Sequence, residues 1–298
     1  MFQRQLSADD GAQVLGVTAA GEELFVLHGR STDQIDVYSN TDFTFSRHIS
    51  VPGLNMCGIE DFTSCDSGVT AILLIADSHN QCVHRLMRMK DEKDWTAVKL
   101  PLSGKPCLSS SVIIYSFHIP TLVLGCYAES FPRGRLIELN YSGTIIREVV
   151  LHSWISDEPE RKPFPSWISS LSCARKLENG DVVVSYRSWW CAQGETIAIA
   201  DSSGKITQSY GDWWFPGERE LLKGPCHLAV DDDGFVFVAD SDKHRVLLLN
   251  PKLQFVRFIA TKNRPRWLHF DKTHRRLLVS HDSNTVTILQ LPPRPYCY

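Results

Sequence analysis

Short apolar runs separated by turn residues recur along the chain, and residues 224–260 contain the clearest unit. Its apolar runs are His227–Val230, Phe235–Ala239, Val246–Leu249 and Phe255–Ala260. The pair Asp233-Gly234 fits a tight hairpin turn between the first two runs, because glycine adopts positive φ without steric cost. Asn250-Pro251 fits a second turn. Four short strands joined by turns predict one antiparallel sheet in about 40 residues, the size of a propeller blade.

The same unit has five weaker copies elsewhere in the chain. They are most visible in the second apolar run, which reads LFVLH at 24–28, LLIAD at 73–77, LVLGC at 122–126, VVVSY at 182–186, VFVAD at 236–240 and LLVSH at 277–281. Six units in 298 residues predict an all-β fold, a six-bladed β-propeller of four-stranded antiparallel blades. We expect a single domain, 1–298, with blades at approximately 12–50, 56–100, 107–150, 167–210, 226–260 and 266–291.

The last unit, 266–291, has three apolar runs, and its fourth strand is expected from the other end of the chain. The segment FQRQLS at 2–7 has the apolar–x–Arg–x–apolar pattern of other fourth strands, such as FVRFIA at 255–260. An open sheet edge is an aggregation hazard. We therefore predict that strand 2–7 pairs into the last blade and closes the ring.

The stretch GPCHLAVDDDGFVFVADSDKHRVLLLN at 224–250 resembles an NHL repeat, and ILLIADSHNQCVHR at 72–85 matches the second half of that pattern. NHL propellers are six-bladed and usually serve as binding modules, often at the C-terminus of tripartite-motif ubiquitin ligases. The resemblance therefore implies a protein-binding scaffold. It leaves two alternatives open, because some NHL domains bind RNA and structurally related propellers include lactonases and a peptidyl-amidating lyase.

Composition and cysteine usage narrow the functional classes. The net charge of −3 implies no general attraction to DNA or to an acidic membrane. Because the segment MFQRQLSADDG is not apolar and no apolar run approaches 18 residues, we expect neither a signal region nor a membrane span. Nine cysteines without a CxxC pair favour reduced thiols and a cytoplasmic protein without a zinc finger or a cofactor. The sequence has no RING, B-box or coiled-coil pattern and is expected to contain only the propeller, so no ligase activity is expected.

Long loops concentrate on one predicted face of the third and fourth blades. The connections between second and third strands, and those from a fourth strand to the next blade, share a face, and here they include 151–167, 186–195 and 211–225. Six of the eight tryptophans lie in these loops: Trp154, Trp167, Trp189, Trp190, Trp213 and Trp214. Tryptophan and arginine are enriched in binding hot spots. We therefore predict that this elaborated face binds a protein or peptide, through Trp189, Trp190, Trp213, Trp214 and Arg187.

A basic and aromatic patch supports a weaker alternative, the binding of single-stranded RNA. Stacking rings and phosphate-neutralising cations could come from Lys223, His227, Arg264, Arg266 and Trp267. Lys262 would add one more positive charge to the patch. The two longest loops, 151–167 and 211–225, each carry a net charge of −1, and a nucleic-acid groove needs an excess of lysine and arginine. Protein or peptide recognition is therefore the favoured prediction.

A metal-dependent hydrolase or lyase is the second alternative. Such an enzyme would take its metal ligands from the starts of first strands, which line the central channel, and His227 occupies one such position. His269 lies two positions deeper in its own strand, so the two histidines are not expected to share a layer. A zinc site needs about three protein ligands. We therefore predict a non-catalytic protein, with no catalytic residue and no metal ligand assigned.

Overall fold

Antiparallel strands make up nearly all of the regular structure. The computed structural model describes residues 3–7, 11–29, 33–101, 113–115, 121–127, 134–140, 144–153, 168–188, 195–211, 222, 224 and 227–292. These ranges contain 25 strands and two short 3₁₀-helices, Met56–Gly58 and Ser241–Lys243. Within them, no helix has the length and apolar character needed to cross a membrane.

The strands form six sheets, which we number in chain order. Sheet 1 contains β2 (Val14–Ala20), β3 (Glu23–His28), β4 (Gln34–Ser39) and β5 (Phe45–Ser50). Sheet 2 contains β6 (Ile59–Asp66), β7 (Thr70–Asp77), β8 (Cys82–Met89) and β9 (Thr96–Pro101). Sheet 3 contains β10 (Ile113–Tyr115), β11 (Thr121–Tyr127), β12 (Gly134–Asn140) and β13 (Ile145–Val150).

The remaining three sheets complete the series. Sheet 4 contains β14 (His152–Ser153), β15 (Ile168–Lys176), β16 (Val182–Ser188), β17 (Glu195–Ala200) and β18 (Lys205–Tyr210). Sheet 5 contains β19 (Leu228–Val230), β20 (Val236–Asp240), β21 (Arg245–Leu249) and β22 (Phe255–Ala260). Sheet 6 contains β23 (Pro265–Asp271), β24 (Arg276–His281), β25 (Thr285–Gln290) and β1 (Gln3–Ser7).

The sheets surround a common axis, with the first strand of each sheet innermost. These first strands contact one another in the order β2, β6, β10, β15, β19 and β23, and β23 contacts β2. Second strands are buried on both sides, as in β24, where all six residues are buried. Fourth strands are largely exposed, as in β5. An all-β propeller with four-stranded antiparallel blades is therefore confirmed.

Apolar clusters fill the space between each pair of neighbouring sheets. Phe25 of sheet 1 is fully buried in one of them, against Phe62 and Leu73 of sheet 2. Burying such a side chain contributes roughly 2–3 kcal/mol. The inner strands approach so closely that a Cβ on Gly16 would lie 2.9 Å from Cβ of Phe62, so a side chain is excluded at this position. These clusters explain why the second apolar runs are continuous and do not alternate.

The predicted closing strand is present. β1 pairs antiparallel with β25, with Leu6 opposite Val286. Leu6 also packs against the apolar cluster between sheets 6 and 1. The N-terminal segment therefore supplies the fourth strand of the last sheet, as the apolar pattern of 2–7 predicts.

Sheet 4 departs from the prediction of four strands, because β14 adds a fifth. This two-residue strand runs parallel to β18, with His152 opposite Lys205 and Ser153 opposite Ile206. Gly204 makes room for it at φ +89°, since a Cβ there would collide with the carbonyl of Val150. The chain leaving sheet 3 therefore covers the outer edge of the next sheet, and a covered edge cannot recruit another strand.

Candidate functional site

The register of each first strand against its second strand determines which residues share a level of the channel. The fourth residue of the second-strand run is Ala76, Ser185, Ala239 and Ser280 in sheets 2, 4, 5 and 6. Opposite them lies an upper layer of four residues, Asp61, Cys173, His227 and Trp267. Side chains two residues apart on a strand share a face. A lower layer, nearer the turns between first and second strands, therefore contains Thr18, Thr63, Arg175, Ala229 and His269.

Three charged or polar side chains from three sheets meet on the axis and form what we call the axial cluster: Asp61, Arg175 and His227. Arg175 binds the Asp61 carboxylate with both terminal nitrogens, Nη1 to Oδ2 at 2.8 Å and Nη2 to Oδ1 at 3.2 Å. His227 Nε2 lies 3.1 Å from Asp61 Oδ1 and 3.0 Å from Arg175 Nη2. Nδ1 of His227 accepts the backbone N–H of Leu268 at 3.1 Å. His227 therefore carries its ring proton on Nε2, directed at Asp61.

Electrostatics in the axial cluster favour the charged pair. Burial alone would raise the pKa of Asp61, but the Arg175 charge and the His227 hydrogen bond outweigh it and hold that pKa well below its usual range. Burial would likewise lower the pKa of Arg175, and the Asp61 carboxylate raises it instead. Both residues are therefore ionised near pH 7. The guanidinium charge is balanced within the channel.

Two groups of potential metal ligands occur among the described residues, with ligand atoms within 4.8 Å of one another. One is Asp61, Cys173 and His227, and the other is Asp77, Cys82 and His84. Aspartate, cysteine and histidine are zinc ligands. In the first group, however, Arg175 already occupies both carboxylate oxygens. In the second, the Asp77 carboxylate accepts backbone N–H groups of Asn55 and Asn80. Both carboxylates are therefore engaged by protein donors.

A hydrogen-bond network joins the lower layer of sheets 1, 2 and 6. Thr18 Oγ1 lies 2.7 Å from Ser64 Oγ and 3.1 Å from His269 Nδ1, and Ser64 Oγ donates to the carbonyl of Ala19 at 2.6 Å. Burial lowers the pKa of His269 to about 4, despite the opposing influence of the Asp271 carboxylate. His269 is therefore neutral near pH 7.

A cavity of about 950 Å³ lies below the axial cluster and opens among the turns between first and second strands. We call it the axial pocket. Its deep wall includes Thr63, Ser64, Arg175 and His269, and its mouth is formed by the turns at 177–181 and 231–234. The volume lies at the upper end of the range of small-ligand sites, roughly 300–1,000 Å³. The axial pocket opens on the face that carries the short turns between first and second strands.

The lining of the axial pocket is acidic. Among the described residues it contains six carboxylates, Asp66, Glu178, Asp181, Asp231, Asp232 and Asp233, and three cations, Arg175, Lys176 and Lys272. Each cation has a carboxylate partner: Arg175 pairs with Asp61 at 2.8 Å, Lys176 with Glu138 at 3.4 Å and Lys272 with Asp232 at 2.7 Å. With His269 neutral, six carboxylates against three cations leave a formal charge of −3 on the lining.

Five of the predicted binding residues lie outside the described ranges: Trp189, Trp190, Trp213, Trp214 and Lys223. Arg187 is half exposed at the end of β16 and lies 3.4 Å from Glu195 Oε1. Binding of a partner by the tryptophans of the elaborated face therefore stays a prediction.

The other predicted binding residues do not form one surface. Arg264 and Arg266 are exposed, with Asp242 at 3.8 Å and Asp282 at 2.9 Å respectively. Trp267 is 6% exposed and packs against His227, with ring centroids 4.6 Å apart. Its ring faces the interior and is not available to stack on a base. His227 belongs to the axial cluster and, as predicted, does not share a layer with His269.

Sequence reasoning missed Asp61, Cys173 and Arg175. Irregularities in register at Ile59/Asp61 in β6, and at Ile168/Ser170 and Leu171/Cys173 in β15, move these residues relative to the strand starts. Counting from the start of each strand therefore places the wrong residues in the layer of His227. The second strands pair with the third strands without a shift in register. Aligning the six units on their second-strand runs would therefore have placed these residues correctly.

No protein-family profile and no curated protein matches the chain. Among solved structures, hydrazine synthase of Kuenenia stuttgartiensis aligns at 14% identity and a TM-score of 0.62, over 95% of this chain and 84% of that one. Virginiamycin B lyase of Staphylococcus aureus aligns at 11% identity and a TM-score of 0.59, over 98% and 99%. A protein of unknown function from Bacteroides caccae aligns at 12% identity and a TM-score of 0.53, over 87% and 82%. At these identities the likeness shows the fold, and membership of the NHL family is not confirmed.

Proposed function

We propose that this protein is a non-catalytic binding propeller that recognises a protein or peptide partner, and that the axial pocket receives part of that partner. The observation that carries the proposal is the cavity of about 950 Å³ at the mouth of the channel. Turns from sheets 4 and 5 frame it, so the loops of a rigid scaffold surround a concave site. A pocket of this size accommodates a few side chains of an extended peptide.

The axial cluster argues against a channel metal site of the kind that a hydrolase or lyase would use. A metal at Asp61, Cys173 and His227 would have to displace the bidentate contact of Arg175. It would also place a second positive charge beside a buried guanidinium. The structurally similar hydrazine synthase and virginiamycin B lyase are enzymes by name, but a shared propeller does not carry a shared reaction.

RNA binding is also less favoured. The charges of Arg264 and Arg266 face Asp242 and Asp282, and Trp267 is buried. Binding to a nucleic acid backbone depends on cations that are free to neutralise phosphates, and here the cations have carboxylate neighbours. Recognition of a protein or peptide therefore remains the better-supported function.

We extend the proposal to the finer architecture, in which the six sheets are the six blades of one closed ring of the NHL type, spanning 1–298. The contact of β23 with β2 and the pairing of β1 with β25 support closure. The Asp77 and Asp240 carboxylates occupy the same position at the ends of β7 and β20, as the repeat pattern requires.

Selection from a random-peptide phage library tests the function. Selected peptides, synthesised with a fluorescent label, would be titrated with the whole chain by fluorescence polarisation. Gln208→Trp would fill part of the axial pocket, since Gln208 lines it from β18. Thr207→Trp is the matched control, because Thr207 is exposed on the same strand and does not line the axial pocket. We expect saturable binding that Gln208→Trp weakens about tenfold and Thr207→Trp leaves unchanged.

Two results would overturn the proposal in different ways. Failure of every selected peptide to bind saturably would contradict recognition of a peptide. Binding that is lost in Trp189→Ala or Trp213→Ala, and retained in Gln208→Trp, would keep the function and move the site to the elaborated face.

A further inference from the structure

We propose that the axial pocket recognises a basic side chain, a lysine or arginine of the bound peptide. This inference rests on the proposed function and names the chemistry that the site selects. Its starting point is the cavity itself, whose lining is unlike the protein as a whole. The chain has nearly balanced charge, 31 lysines and arginines against 34 acidic residues. The pocket lining has twice as many carboxylates as cations.

The carboxylates are arranged around the mouth, where an incoming chain would pass. Glu178 and Asp181 lie on the turn after β15, and Asp233 lies on the turn after β19, next to Asp232, which already pairs with Lys272 at 2.7 Å. Glu178 and Asp233 are exposed, so their charges reach solvent at the entrance. Facing carboxylates from two sheets attract a cationic group and repel an acidic one.

The deeper part of the pocket does not cancel this preference. Arg175 is the cation nearest the axis, and its charge is balanced by the Asp61 carboxylate directly behind it. His269 makes a hydrogen bond to Thr18 and is neutral near pH 7. The hydroxyl groups of Thr63 and Ser64 offer acceptor oxygens that an ammonium or guanidinium group can use.

A long flexible cation fits this arrangement better than a divalent metal ion. The groups of ligand atoms found within 4.8 Å of one another among the described residues lie at the axis and at Asp77, and neither contains a carboxylate of the pocket mouth. Calcium requires about six to eight oxygen ligands at 2.3–2.6 Å. Carboxylates spread over separate turns suit an amine or guanidinium on a long apolar stem, whose methylene groups can lie along apolar parts of the wall, such as Ala229 and Leu268.

Peptides selected on the whole chain provide the probe. In each, lysine would be replaced by norleucine, which keeps the four-carbon stem without the ammonium group, or arginine by citrulline, which keeps the length of the side chain without its charge. We expect affinity to fall about tenfold or more, the size of one charge-assisted hydrogen bond. Added salt should weaken the parent peptide more than the neutral one, because exposed charges are screened.

A pair of isosteric protein variants tests the other side of the contact. Glu178→Gln with Asp233→Asn removes two charges from the mouth, and Asp91→Asn with Glu92→Gln removes two exposed charges from the turn after β8, away from the pocket. We expect the first pair to weaken binding about threefold to tenfold and the second to leave it unchanged. Equal affinity for the charged and neutral peptides would overturn the inference and leave peptide recognition intact, whereas absence of any peptide binding would remove both.

Discussion

Arg175 of sheet 4 and Asp61 of sheet 2 form a bidentate ion pair across the propeller axis, with nitrogen–oxygen distances of 2.8 and 3.2 Å. Sheet 3 lies between these two sheets around the axis, because its first strand β10 contacts both β6 of sheet 2 and β15 of sheet 4. His227 of sheet 5 joins the same carboxylate. One buried acid therefore links three sheets.

Removal of the acid from this pair should destabilise the fold. Asp61→Asn would leave the Arg175 guanidinium largely buried without a counter-charge, at a cost of about 3 kcal/mol. The measurement is the free energy of unfolding from urea titration, with Asp91→Asn, an exposed acid, as the control. The double variant Asp61→Asn with Arg175→Met should recover part of the loss, since it removes both charges. A double variant that is less stable than Asp61→Asn alone would contradict this account.

Stability should depend on pH through His269. Its pKa falls from 6.5 in the unfolded chain to about 4 in the folded protein, so the unfolded chain binds the proton more readily. The contribution of neutral His269 to the free energy of unfolding is complete above pH 6.5 and is lost as the pH falls towards about 4. Below pH 3.8, the usual pKa of an aspartate, Asp61 further reduces the stability of the fold, because its pKa is lower in the folded protein than in the unfolded chain. We expect His269→Asn to show a smaller decrease in urea midpoint between pH 7 and pH 5 than the parent; equal decreases would show that His269 is not the titrating group.

The closing strand should be required for stability. Deletion of residues 1–7 would expose the edge of β25 and uncover the apolar cluster against which Leu6 packs. An exposed edge of this kind recruits other chains. We predict a lower melting temperature together with concentration-dependent association in light scattering. A monomeric truncated chain with the parent melting temperature would contradict the pairing of β1 with β25.

The Asp77 carboxylate should be structural. It accepts two backbone N–H groups, from Asn55 at 3.0 Å and Asn80 at 2.9 Å, and also contacts His84 at 3.2 Å. Asp77→Ala would leave these two partly buried donors without their acceptor, at a cost of about 1–3 kcal/mol. Its counterpart Asp240, which pairs with Arg245 at 2.9 Å, should behave similarly. Either change should lower the melting temperature without altering peptide affinity at the axial pocket, and an affinity loss larger than the loss in folded fraction would assign these acids to the site.

Periodicity was sufficient to predict the fold class and the closing strand. Both depend on local patterns: β20 is a continuous apolar run because it is buried on both sides, and residues 2–7 repeat the alternation of the other fourth strands. The fifth strand of sheet 4 could not be predicted, because His152 and Ser153 have no strand-like pattern. They pair with β18 only because the chain leaving sheet 3 passes close to Gly204, whose carbonyl accepts the backbone N–H of His152.

The site was less predictable because it depends on register. The shift between Leu171 and Cys173 brings Cys173 level with His227 and Arg175 level with His269. Asp231 is buried and accepts the backbone N–H groups of Asp233 and Phe235, although the sequence suggests that its side chain is solvated. The acidic turn at Asp231–Asp233 reads in isolation as an ordinary hairpin turn. Its relation to Glu178 and Asp181, about 50 residues earlier in the chain, exists only once sheets 4 and 5 are neighbours.

The most direct test of peptide recognition at the axial pocket is to map where a peptide lies. A selected peptide carrying a benzophenone side chain beside its basic residue would be photo-crosslinked to the whole chain, and the modified residues identified by mass spectrometry. The account predicts crosslinks in the turns at 177–181 and 231–234, reduced by Gln208→Trp. Crosslinks confined to the loops at 186–195 and 211–225 would contradict it and assign recognition to the elaborated face.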